Sequence, residues 1–137
     1  MSRVTPKLRI YAAHLIASEM RRDGSSKSKP TAAFVVIEKL RPHFQPLMGA
    51  AGFRALLSRA LMLANTEVAW LHQLQVRGDG SLEGLNEVEA QANPEEIATG
   101  GIALLARLLG LLMTLIGEDL TVRLISDFND LDSRLEI

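Results

Sequence analysis

Three histidines, His14, His43 and His72, are the side chains best suited to ligate a metal or move a proton near neutral pH, and they stand 29 residues apart. Paired helical metal ligands sit three or four residues apart on one face, and no pair of these does. Glu19, Glu38 and Glu67 each lie five residues from one of them. Five residues turn a helix by about 140°, so histidine and glutamate do not share a face. Gly49-Ala-Ala-Gly52, followed by Arg54, is the nearest approach to a glycine-rich anion cradle. Without a phosphate-loop lysine it reads as a tight turn after Pro46. The carboxylate pairs Glu95-Glu96 and Glu118-Asp119 fall at predicted helix starts, where negative charge stabilises exposed amides by about 0.3–1 kcal/mol. That structural role is sufficient to explain them. Arg77-Gly78-Asp79 matches an adhesion tripeptide, but a three-residue match in a turn is close to chance. Asp79-Gly80 with Glu83 lacks the repeated oxygen ligands of a calcium loop.

The chain has no cysteine, which excludes a thiolate site, a cysteine nucleophile and a disulfide scaffold. It carries no His-Glu-x-x-His, Walker A, dinucleotide glycine fingerprint or Gly-x-Ser-x-Gly elbow. The sequence therefore assigns no catalytic, cofactor-binding or metal-ligating residue, and the expected chemistry is recognition rather than turnover.

Charge is divided unevenly. Residues 1–59 hold eleven cations and three anions, net +8, while residues 60–137 hold four cations and thirteen anions, net −9. Such a split implies two halves that attract each other within a monomer or dimer, or a basic surface for phosphates on residues 1–59. The helix expected to end near Arg41, the proline segment and the helix from Gly49 allow a helix-turn-helix reading, with Arg54 and Arg59 on its outer face. Its weakness is an alanine- and glycine-rich helix start where base-reading side chains normally cluster.

The elements that must position these residues follow from periodicity. A chain of 137 residues, 47% hydrophobic, supports one domain with its own core. Thr5-Pro6 opens an amphipathic helix running to about Arg22, ahead of a flexible connection at 24–30. A second helix from Thr31 is expected to stop near Arg41, because Pro42 and Pro46 each remove an amide, leaving a turn over His43–Met48. From Gly49, Phe53, Leu56, Leu57, Ala60, Leu61 and Ala64 share one face. Residues 74–82 read as a glycine-rich turn or a minor hairpin, and Leu82, Leu85 and Val88 as one short helical stripe.

Asn93-Pro94-Glu95-Glu96 is a capping box with proline at the first helical position, and a long helix over about 94–116 follows. It holds one charge, Arg107, in an otherwise apolar stretch. A membrane span is not expected, since a mid-span arginine costs about 2.5–3.5 kcal/mol there and three glycines interrupt the run. A last amphipathic helix follows Gly117, with an acidic tail at 129–137 expected to fray.

These readings sum to an all-α, single-domain bundle of five to six helices around one nearly apolar central helix. A single chain has difficulty surrounding such a helix, so part of it is expected to face a second copy in a homodimer. Arg54, Arg59, Arg107, Leu108 and Leu112 are the candidate interaction residues. Arg107 should find a carboxylate or carbonyl, across a dimer interface or else by snorkelling at the bundle edge. The function expected is a cytoplasmic, non-catalytic interaction or regulatory module with an unknown protein partner. The alternatives are a nucleic-acid-binding regulator using residues 1–59, and a small-ligand sensor with an apolar pocket between the central helix and the Phe53 helix, reported by Trp70. Localisation rests on the lack of a clean export signal near the N-terminus.

Overall fold

The structure, a computed structural model, describes residues 6–22 and 31–135, with side chains for 8–19 and 31–126. The connection at 24–30 lies outside the described residues. Five α-helices and one two-stranded ribbon make up the described chain. Helix α1, Pro6–Arg22, buries Leu8, Ala12 and Leu15 on the face the periodicity selects.

Helix α2, Ala32–Asn65, corrects the expected turn at His43–Met48: the helix passes through Pro42 and Pro46 and breaks only at Gly49, with φ 81 and ψ 159. Pro42 and Pro46 are four residues apart and both exposed. The carbonyls they deprive, those of Glu38 and Pro42, lie one turn back on the same side of the helix, away from its buried face. The opposite face buries Val36, Ile37, Leu40 and Phe44 completely, or within 1%. At about 1.5–3 kcal/mol per large apolar side chain, that burial outweighs two prolines at about 3 kcal/mol each. The second half of α2 then buries Phe53, Leu57, Ala60 and Ala64. A one-residue break thus replaces the proline turn that the helix-turn-helix reading requires.

Beyond α2, a 3-10 turn at Ala69–Gln73 leads to the hairpin. The minor hairpin is present: β1, Gln75–Val76, pairs antiparallel with β2, Leu82–Glu83. Helix α3, Leu85–Glu89, is a short connection. Helix α4, Pro94–Ile116, has the expected bounds and cap: the Glu96 amide donates to Asn93 Oδ1 at 2.8 Å, and Asn93 Nδ2 donates to Glu96 Oε1 at 2.8 Å. Helix α5 spans Glu118–Leu135.

Helix α4 packs against α1, α2, α3 and α5, so the apolar helix is the centre of the bundle. Its glycines set the approach distances. A Cβ on Gly100 would stand 2.3 Å from Trp70 Cζ2, and one on Gly101 2.8 Å from Ala33 Cβ. Only glycine at both positions lets the indole on one side and α2 on the other reach the α4 backbone.

Candidate interaction surface

Arg107 finds its carboxylate within the chain. Its Nε donates to Glu67 Oε2 at 3.0 Å, and Arg9 Nη2 approaches Glu67 Oε1 at 3.7 Å, placing one carboxylate between two guanidiniums. The Arg107 side chain is only 12% exposed, so the pair is a structural bond beneath α1 rather than a free recognition group. Leu108 and Leu112 are both 0% exposed. They belong to the monomer core together with Phe53, Leu57 and Leu104, which corrects their assignment as surface contacts. The same packing joins α4 to the Phe53 segment in one core, where the ligand-sensor alternative placed its pocket. Trp70 instead lines an open cleft of about 480 Å³ with Glu95, Glu96 and Thr99, and its Nε1 donates to the Glu96 carbonyl at 3.0 Å.

Arg54 and Arg59 are exposed, as the periodicity requires. Neither forms an ion pair among the described residues, whereas Lys39, Arg41 and Arg77 each meet a carboxylate, Glu19, Glu38 and Glu83 respectively. The two arginines lie five positions apart, about 140° around the helix. They flank an exposed strip made of Ala51, Ala55, Ser58 and Met62, the last 66% exposed.

The two halves of α2 fold back on each other. A Cβ on Gly80 would stand 3.2 Å from Arg41 Cδ and 3.7 Å from Phe53 Cδ2, although those residues are twelve positions apart and about 18 Å apart on a straight helix. Near its start, α2 meets α4 at Gly101; the Phe34 ring, in turn, is 6.3 Å from Trp70, which rests on Gly100. Both ends of α2 are therefore level with the first half of α4. His43 Nε2 donates to the Leu124 carbonyl at 2.9 Å, shortly before Gly49 on α2 and shortly after Gly117 on α5. The two breaks consequently sit at one end of the bundle, beyond the last turn of α4.

That end is apolar. Leu47 is 51% exposed, Leu115 61% and Leu120 37%, which makes three of the five exposed large hydrophobic side chains among the described residues. Sequence reasoning missed them. Leu115 continues the stripe of Leu108 and Leu112 and so resembles a core position, while Leu47 fell in the segment read as a turn. An uncharged run from Pro42 to Phe53 and another from Leu108 to Gly117 were the available clues.

The hairpin is fixed by charge. Arg41 reaches Glu38 at 3.3 Å and Asp79 at 4.0 Å, and the Leu82 amide donates to Glu38 Oε1 at 3.3 Å. The Ser81 hydroxyl, then the Ser81 amide, donate to Asp79 Oδ1 and, with Arg41 and Arg77 nearby, hold that carboxyl below its ordinary value of 3.8. Among the described residues no three His, Asp or Glu side chains converge as metal ligands. Compared with known protein families, characterised proteins and solved structures, the chain matches none.

Proposed function

We propose that the chain is a non-catalytic helical interaction module that self-associates. One observation carries this reading. An 18-residue stretch of α2 has mean hydropathy 1.3, enough to suit a core or a membrane, yet only 22% of it is buried. The comparable stretch of α4, mean hydropathy 1.9, is 56% buried. An apolar helix with so much of its surface uncovered is matched to a second surface. Light scattering during size exclusion, with absorbance at 260 and 280 nm, tests the reading. A particle of twice the 15.0 kDa chain mass, free of nucleic acid and indifferent to salt, is expected. A monomer at every concentration, or flotation with lipid vesicles in place of a defined dimer, overturns it.

The second reading is nucleic-acid binding, favoured by the exposure of Arg54 and Arg59 with no carboxylate on either among the described residues. It requires material absorbing at 260 nm that co-elutes at low salt, separates at high salt, and is lost when both arginines become alanine.

A further inference from the structure

We infer that the apolar end of the bundle, where α2 breaks at Gly49 and α4 ends at Gly117, is the face that a second copy of this chain covers. The inference rests on the self-association reading above and adds its place and its polar contacts.

Leu47 and Leu115 are more than half exposed on two different helices that reach this end, and Leu120, 37% exposed, stands in the first turn of α5. Charge decides what fits over them. Arg54 follows Gly49 by about one and a half turns and is exposed and without an ion pair among the described residues. Asp119 is exposed and two residues past Gly117. A cation just past the break in α2 and the carboxylates at the start of α5 give this apolar end both signs of charge, which a second copy can complement. In a two-fold arrangement the Arg54 of each protomer faces the Asp119 of its partner while the leucines meet in the middle. An anionic lipid surface fits worse, because Glu118 and Asp119 stand together at the first turn of α5 on this same end.

Sedimentation equilibrium of Leu47→Glu/Leu115→Glu, Arg54→Glu, Asp119→Arg and the Arg54→Glu/Asp119→Arg exchange tests this. The leucine pair should weaken dimerisation by roughly a hundredfold or more, from the lost apolar contact and the added charge. Each single charge reversal should weaken it by roughly tenfold, and the exchange should restore it, because opposite charges again face each other. Circular dichroism melts check that each variant is folded.

A readout independent of destabilising changes comes from the cysteine-free background. Leu115→Cys should form a disulfide-linked species of twice the chain mass, while Glu87→Cys, on α3 at the other end, should not. A wild-type dimer that ignores the leucine pair, or that crosslinks equally through both cysteines, overturns this interface and leaves self-association standing. A wild-type chain that never dimerises overturns the self-association reading itself.

Discussion

Single atoms decide the outcome at several positions. Gly100 is the tightest: a Cβ there would stand 2.3 Å from Trp70 Cζ2 and 2.8 Å from Cε2, with no flexible chain end to yield. Gly100→Ala should therefore push the indole outward, break its bond to the Glu96 carbonyl and cost about 1–3 kcal/mol as overpacking. Trp70 is the only tryptophan, so a red-shifted emission accompanied by an earlier urea midpoint reads this directly. Unchanged emission would mean that the ring has another resting place. Asp79 provides a pH test. Its carboxyl is held below 3.8 chiefly by the Ser81 hydroxyl, then by the Ser81 amide, so the folded hairpin favours the charged form. The sign follows from that direction: the contribution is fully present above the unfolded value, and is lost as pH falls through the lower folded value. A carbon-detected titration of Asp79 should give a midpoint below 3.8, with the Ser81 amide shifting in step. In Asp79→Asn the Ser81 amide should no longer titrate in that range.

At the scale of elements, α2 holds the lesson about what its sequence could disclose. Gly49 has φ 81 and ψ 159, and a Cβ placed there would meet nothing within 4 Å. Gly49→Ala should thus cost about 1–3 kcal/mol from backbone strain alone. Gly78→Ala, equally uncrowded and without positive φ, should stay within about 0.5 kcal/mol. Equal denaturation midpoints for the two variants would show that the break at Gly49 needs no glycine. The break was legible as a helix start, but the prolines before it were misleading. Their cost is local and visible in sequence, whereas the burial of Phe44 that offsets it is tertiary. Helix α4 was legible at both ends because Asn93, Pro94 and Glu96 cap one and Gly117 closes the other. Its surroundings were not, since a helix apolar on most sides carries no mark of which side the rest of the chain will cover. Leu108 and Leu112 were consequently read as contacts and Leu115 was passed over. The sequence disclosed that Arg107 needs a carboxylate. That the carboxylate is Glu67, forty positions away, depends on how α2 returns along α4.

For the whole molecule, the charge division and the central helix answer different questions. Among the described residues two ion pairs join the basic half to the acidic half, Arg9 to Glu67 and Arg41 to Asp79, at 3.7 and 4.0 Å between partly exposed groups. Such exposed pairs contribute about 0–1 kcal/mol each, so attraction between the halves orients the chain without holding it together. Cohesion comes from α4, whose fully buried leucines touch the other helices as one core. It follows that stability and association should be separable by substitution. Leu108→Ala opens a cavity at a 0% exposed site shared by the whole bundle and should cost about 2–5 kcal/mol, lowering one cooperative transition. Leu115→Ser, at a 61% exposed site seven residues along the same helix, should leave the monomer's stability within about 0.5 kcal/mol. Both are measured by urea unfolding at a concentration where the protein is monomeric. Were Leu115→Ser to destabilise the monomer as much as Leu108→Ala does, the last turn of α4 would belong to the core, and its exposed leucine would have nothing left to offer a partner.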